Sequence, residues 1–220
     1  QCCLVGSEMC IRDRYNHTSY EWNDNSNGFI FSSNYNEDWE YDFRNSELYS
    51  ISYDGTDLKQ LTDRKGPDYG AVLSPDGNLI AYLGYDDKIQ TYQTTNLYLM
   101  DINGGNKREI KTNLDRSISS LEWSKDGKRL YFMYDDEGNT KVASTSLYGN
   151  IKNLVDNVGG TTIGRPYGGG SYSVSTKDII VFTLTSPYHP SDVAINDGKS
   201  IKRLTNLNYD LLDKKDLGKV

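Results

Sequence analysis

Short apolar runs alternate with polar, glycine-bearing turns from Gly28 almost to the end of the chain. The clearest unit lies between Asp68 and Asn113. Gly70 to Ser74 predicts a first strand. Pro75 presets φ for a turn, Asp76 can bond back to the backbone, and Gly77 suits the left-handed position. Leu79 to Leu83 predicts a second strand, followed by a polar stretch from Asp86 to Thr95. Asn96 to Ile102 alternates apolar and polar positions, as a third strand does. Asn103-Gly104-Gly105 is a hairpin turn, and Lys107 to Lys111 is the fourth strand.

This unit repeats. Ser74-Pro75-Asp76-Gly77 returns 50 residues later as Ser124-Lys125-Asp126-Gly127. Asn27-Gly28 is taken as the same turn before it, and Lys177-Asp178, without a following glycine, as the same turn after it. A second landmark moves in step at Leu48-Tyr49, Leu97-Tyr98 and Leu147-Tyr148. A third closes each unit at Leu61-Thr62, Ile110-Lys111, Leu154-Val155 and Leu204-Thr205. The first unit then has strands at Gly28 to Ser32, Ser46 to Tyr53 and Leu58 to Leu61, with a turn at Asp54-Gly55. The third has Ile118 to Trp123, Arg129 to Tyr134, Ser144 to Tyr148 and Ile151 to Val155, with a turn at Gly149-Asn150. The fourth has Ser171 to Ser175, Ile179 to Thr185, Asp192 to Ile195 and Lys202 to Thr205, with a turn at Asn196-Asp197-Gly198. Four antiparallel strands per repeat make a propeller blade, so the predicted fold is all-β: about four four-stranded antiparallel blades of an incomplete β-propeller.

Composition agrees. Eighteen Tyr against five Phe, and 20 Gly against five Pro, suit half-buried strands joined by turns. The net charge of −7 disfavours a phosphate-bearing partner, so no nucleic acid is expected. No apolar run approaches the roughly 18 residues of a membrane span, and no signal-peptide pattern is present. All three cysteines, Cys2, Cys3 and Cys10, fall in the opening stretch Gln1 to Arg14, whose texture differs from the rest. That stretch resembles adapter sequence read as coding, so residues 1–14 are expected to be a non-native leader. A Cys-rich metal or redox segment is the other reading, but no second Cys/His cluster completes it.

The connections between second and third strands vary most: Asn34 to Asn45, Asp86 to Thr95, Asp135 to Lys141 and Ser186 to Pro190. Variable loops on a rigid scaffold carry recognition. The first holds Tyr35, Trp39 and Tyr41. A binding role is weighed there against aromatics packed down on the blade, and the second is favoured.

The unit Ser-Pro-Asp-Gly, Leu-Ile-Ala-Tyr, Asn-Leu-Tyr-Leu-Met-Asp-Ile-Asn-Gly-Gly resembles the TolB-type propeller repeat. That repeat occurs in stand-alone bacterial propellers and in the propeller of serine peptidases of the prolyl oligopeptidase family. Ser186 to Val193 and Lys202 to Leu212 resemble the last blade of such a peptidase, particularly the acylaminoacyl-peptidase and dipeptidyl-peptidase-like members. Gly164-Arg165-Pro166-Tyr167 resembles the approach to that blade, and a structural role is expected for Arg165. Family propellers have about seven or eight blades. The resemblance therefore implies blades over residues 15–206, and the start of a linker at 207–220 toward a missing α/β-hydrolase domain. It implies a parent that hydrolyses peptide bonds in short peptides, with the propeller gating access; the compartment, bacterial cytoplasm or periplasm, is left open. The family's Ser, Asp and His fall in the missing part.

Candidate chemistry within the chain is sparse, and no catalytic, cofactor-binding or metal residue is assigned. Gly169-Gly170-Ser171-Tyr172-Ser173 fails the nucleophile elbow for want of a second glycine. His17 and His189 are expected to be surface or packing residues, the latter in a loop. Gly168-Gly169-Gly170 lacks the Lys-Ser/Thr of a phosphate cradle. Asp101 to Gly105 lacks the spacing of a calcium loop, and Asp135-Asp136-Glu137 is a solvated hairpin loop. Asn16-His17-Thr18 matches a glycosylation sequon. A stand-alone TolB-like propeller binding a protein or peptide is the second reading. A glycan-active propeller is the third, and it lacks clustered acids.

Overall fold

The computed structural model describes residues 17–23, 26–160, 169–212, 215 and 218. The first blade is β1 (His17–Trp22), β2 (Gly28–Ser33), β3 (Glu47–Ser52) and β4 (Lys59–Gln60). The second is β5 (Asp68–Leu73), β6 (Leu79–Gly84), β7 (Asn96–Asp101) and β8 (Arg108–Glu109). The third is β9 (Ile118–Trp123), β10 (Arg129–Asp136), β11 (Asn139–Ser146) and β12 (Ile151–Val158). The fourth is β13 (Tyr172–Val174), β14 (Ile180–Ser186), β15 (His189–Asn196) and β16 (Ile201–Arg203), with a one-turn helix α1 (Tyr209–Leu212) after it. Within every blade consecutive strands pair antiparallel. Blades three and four are joined at one point, Val158 opposite Leu184, because β12 outruns its hairpin and takes the edge of β14 that the short β13 leaves free. The fold is an incomplete β-propeller of four blades.

The cores lie between blades, which explains the unbroken apolar run of β6. Ile80 and Tyr82 face the first blade and pack with Ile30, Leu48, Leu61 and Met100. Ala81 and Leu83, pointing the other way, pack with Leu130, Phe132 and Tyr134 of β10. Tyr131 and Val142 turn to Ile180, Phe182 and Ala194 of the fourth blade. A strand buried on both faces has no polar alternation left to show.

Each of the first three inner strands carries a bulge at one repeat position. The residue there has positive φ: Ser19 (57°), Gly70 (62°) and Ser120 (54°). The bulge sharpens the twist and bends the innermost strand. The turn after it is also conserved in geometry. Leu79 N–H and Arg129 N–H donate to Ser74 Oγ and Ser124 Oγ, both at 2.9 Å, while each serine hydroxyl donates to Asp76 or Asp126 at 2.6 and 2.7 Å.

Several boundaries differ from the expectation. Ser26, with φ 52°, takes the place of Gly77, and Gly28 already opens β2 with its carbonyl accepting from Asn23 N–H at 3.0 Å. In the fourth blade Asp178 itself, with φ 59°, stands in the glycine position, and the turn is one residue shorter. β1 has no counterpart in the predicted strands, since its side chains are mostly exposed. The stretch Asp135 to Lys141 is mostly strand: Asp136 pairs with Asn139 around a tight Glu137-Gly138 turn with φ values of 50° and 80°. β11 therefore begins at Asn139 and not at Ser144. Ser186 likewise pairs with His189, so His189 opens a strand and does not sit in a loop.

Candidate functional site

Strands one to four alternate in direction, so the connections between second and third strands share a face with those between blades. Hydrogen bonds tie these segments together. Gly66 N–H donates to Asn45 Oδ1 at 3.0 Å, Asp87 N–H to Lys65 O at 2.8 Å, and Ile118 N–H to Thr95 O at 3.0 Å. The long loops of the first two blades are thus a continuous platform. The second is ordered from within, with Gln93 Nε2 and Ile89 N–H both donating to Asp87 Oδ1 at 2.8 Å. Hydrogen bonds to the carboxylate outweigh the small effect of burial and lower the Asp87 pKa.

The aromatics of the first loop divide. Tyr35 packs edge-on to Tyr49 with centroids 4.8 Å apart, as a packed-down residue should. Tyr41 is 88% exposed, against expectation, and Phe43 is also exposed with the Arg44 guanidinium 5.3 Å from its ring. Tyr92 and Ile89 project from the second loop, the latter with φ 55°, which a β-branched residue rarely adopts. A polar cleft of 430 Å³ opens beside it, lined by Tyr85, Asp86, Tyr92, Gln93, Tyr98 and Asp115.

Beneath this platform the first and second blades meet over charged groups that the sequence reading missed. Arg64 Nη2 lies 2.5 Å from Asp68 Oδ1, and its guanidinium sits 3.8 Å from the Tyr98 ring centroid. Asp68 is 1% exposed and Glu47 6%. Burial pushes Asp68 up to about 6 despite Arg64, and Glu47 up to about 7. The one signal in sequence is a carboxylate at the first residue of each strand, Glu47 before Leu48-Tyr49 and Asp68 before Tyr69. Nothing in their spacing shows that they meet.

The residues weighed for chemistry do not assemble. His17, exposed on β1, packs against Phe31 and Tyr35 at 5.6 and 5.5 Å. His189 is exposed. Asp101 Oδ2 accepts from Asn106 Nδ2 at 2.6 Å within its own turn. Ser171 lies beside β14, its N–H donating to Thr183 Oγ1 at 3.1 Å, and Gly170 lies against Val158 and Gly159. Among the described residues no three His, Cys, Asp or Glu side chains gather as metal ligands, and no helix is long and apolar enough to cross a membrane. Residues 1–14, Asn16, and Gly164 to Gly168 with Arg165 lie outside the described residues.

No protein-family model matches the chain. Dipeptidyl-peptidase 5 of Trichophyton equinum is 29% identical over 107 residues, and that of Arthroderma otae 28% over 109 residues. The matches cover 43% and 44% of this chain but only 15% of each relative's length. Among solved structures, a puromycin-hydrolysing peptidase of Mycobacterium tuberculosis superposes with a TM-score of 0.65 at 14% identity, over 87% of this chain and 31% of that one. TolB of Acinetobacter baumannii gives 0.59 at 18%, over 83% and 41%. An oligogalacturonate lyase of Vibrio parahaemolyticus gives 0.63 at 11%, over 88% and 55%. At these identities the superpositions establish the fold alone. The chain is a run of β-propeller blades, similar in fold to TolB and, over part of its length, in sequence to a stretch of dipeptidyl-peptidase 5.

Proposed function

We propose that the chain is the substrate-gating propeller portion of a serine peptidase of the prolyl oligopeptidase family. The observation that carries this reading is the similarity to dipeptidyl-peptidase 5, which falls on a chain folded as blades. In such a parent the peptide bond is broken elsewhere: a serine attacks the carbonyl, a histidine takes and returns the proton, and an aspartate orients the histidine. The blades contribute a rigid platform that limits access to short peptides. Residues 15–206 are then the blades, and 207–220 begin the passage to the hydrolase domain. The exposed Leu207, Tyr209 and Leu211 around α1 suit a segment that continues onto another surface. Residues 1–14 are foreign on this reading.

The test joins gene and assay. The coding sequence beyond Val220 should continue into an α/β-hydrolase domain with a Gly-x-Ser-x-Gly elbow. The full-length protein should release a chromophore from dipeptidyl anilides, whereas residues 15–220 alone should not. Further blades or a stop codon in that place would overturn the peptidase reading. They would favour the second one, a stand-alone propeller that binds a protein or peptide through its loop platform. Exposed Tyr41 and Phe43 favour that second reading.

A further inference from the structure

Four buried side-chain atoms lack a hydrogen-bond partner among the described residues: Ser33 Oγ, Glu47 Oε2, Arg64 Nε and Asp68 Oδ2. All belong to the seam between the first and second blades. Ser33 is the cross-strand partner of Glu47, and Asp68 is the partner of Arg64. Thr62 acts on both carboxyls, lowering the pKa of each. Its oxygen already accepts from Leu48 N–H at 2.8 Å. A threonine hydroxyl has one hydrogen to give, and Arg64 is engaged with Asp68 and the Tyr98 ring. Each buried carboxyl thus keeps one oxygen that receives no hydrogen, while the hydrogens of Ser33 Oγ and Arg64 Nε reach no acceptor. A proton on Glu47 removes the buried negative charge that its Oε2 would otherwise carry without a donor.

The fourth blade supplies an internal control. Leu204 N–H donates to Val193 O and Leu61 N–H to Leu48 O, both at 2.7 Å. Val193 N–H donates to Thr205 Oγ1 at 2.9 Å, as Leu48 N–H does to Thr62. Arg203 Nε donates to Thr205 O at 2.9 Å, as Gln60 Nε2 does to Thr62 O at 2.7 Å. Asp192 therefore occupies the place of Glu47, and Arg203 that of Gln60. Asp192 is paired with Arg203 and accepts from Thr205 Oγ1 at 2.7 Å and Leu207 N–H at 3.0 Å. Glu47 has the same frame without the arginine.

We propose that Glu47 holds a proton in the folded chain, and that this proton is the bound ligand completing the seam between the first two blades. The groups facing it are Asp63 and Arg64 from the connection before β5, Asp68 at the start of β5, Tyr82 from β6 and Tyr49 on its own strand. Lys107, just before β8, reaches Asp63 at 2.9 Å and also acts on Asp68, while Asp86 lies 3.7 Å from Arg64. Burial and then the negative charges of Asp68 and Asp63 raise Glu47 to about 7, against the lowering effects of Thr62 and Arg64. A folded value above the unfolded one means that the native state holds the extra proton. The stabilisation is complete below the unfolded value of 4.5 and is lost as pH rises through about 7.

The experiment uses the whole 220-residue chain. Urea midpoints are measured from about pH 5 to about pH 9, with hydrogen exchange of the Leu48 and Asp68 amides as a local readout. The wild-type midpoint should fall as pH rises through about 7 and then level off. Glu47→Gln, which keeps the shape without the charge, should lose this fall and retain the high midpoint. The lower limb from Asp68, near pH 6, should persist in it. Gln60→Arg, which copies the fourth blade, should move the Glu47 limb to lower pH. Should Glu47→Gln fail to fold, infrared spectroscopy of the wild type reads the same proton: a protonated carboxyl band must vanish across the limb. A wild-type midpoint that is flat across the limb, or a limb unchanged in Glu47→Gln, overturns the proposal. So does full restoration of the high-pH midpoint by potassium or sodium chloride but not by choline chloride, which would make the missing ligand a metal cation.

Discussion

Replacing Asp178 by glycine sets two effects of opposite sign against each other. Asp178 stands at φ 59° where Gly77 and Gly127 stand at 71° and 67°. Glycine relieves the left-handed cost of a side chain, about 1 kcal/mol. The Asp178 carboxylate, however, accepts from Arg129 Nη2 at 2.7 Å and from Tyr131 OH at 3.0 Å, tying the fourth blade to the third. The Arg129 pair is partly exposed and contributes about 0.5 kcal/mol. Tyr131 is 2% exposed, so its hydroxyl would lose its acceptor at a cost of about 2 kcal/mol. The loss exceeds the relief, and Asp178→Gly should destabilise by about 1.5 kcal/mol. In a Tyr131→Phe background no hydroxyl is left orphaned, and the same change should stabilise by about 0.5 kcal/mol. Urea unfolding of the four proteins gives a double-mutant cycle with an expected coupling of about 2 kcal/mol. An equal effect of Asp178→Gly in both backgrounds, or stabilisation when Tyr131 is present, would refute this assignment of energies.

Gly84→Ala should destabilise by about 3 kcal/mol, because a Cβ there would lie 2.2 Å from Asp68 Oδ1 and 2.5 Å from Pro67 O, forcing the buried ion pair or the backbone to move. A urea midpoint change worth under about 1 kcal/mol would contradict it. Phe132→Ala empties a large, fully buried apolar side chain from between the second and third blades and should cost about 4 kcal/mol by the same measurement. At low pH the fourth blade should fail through Asp192. Burial pulls that carboxyl up, but Leu207 N–H, Thr205 and Arg203 outweigh it and hold it below the ordinary carboxylate range. Its stabilisation is present above the unfolded value and is lost as pH falls through the folded one. Arg203→Gln should therefore move acid unfolding, followed by circular dichroism, to higher pH.

The blades were legible because their strands and turns use strong local chemistry. Leu79 to Leu83 is buried on both faces, so its apolar run is unbroken, and Gly77 and Gly127 mark the turns by the residue type that a positive φ favours. Where the same backbone geometry is taken by another residue, the signal disappears. Ser26 and Asp178 fill the glycine position of their turns, and Ser19 and Ser120 fill the bulge position of Gly70. A serine or aspartate in such a place is held there by the surrounding hydrogen bonds, which composition does not display. The stretch Asp135 to Lys141 failed for the opposite reason. Its polar residues resemble a loop, yet Lys141 pairs with Asp136 at 2.9 Å and Thr140 with Asp135 at 2.6 Å, so the hairpin is stabilised by charge across its strands.

The seam was illegible for a reason that bears on how blades diverge. Glu47 and Asp68 begin strands of different blades, and Thr62 and Arg64 belong to the connection between them. Each residue is unremarkable in its own segment, and only the return of the chain brings them together. The frame around Glu47 is nonetheless that of Asp192, bond for bond along the backbone. What differs is the acid itself, one methylene longer in Glu47 than in Asp192, and the residue on the neighbouring strand, Gln60 in one blade and Arg203 in the other. With the arginine, the carboxylate is paired and is held below the ordinary carboxylate range. Without it, the same buried position can be satisfied by a proton. A repeat scaffold can thus keep its hydrogen-bonded frame and change the chemistry of one seam through the acid and its neighbour on an edge strand. The blades are alike in backbone and distinct in what their junctions bind, which is why the repeat identifies the fold long before it identifies the site.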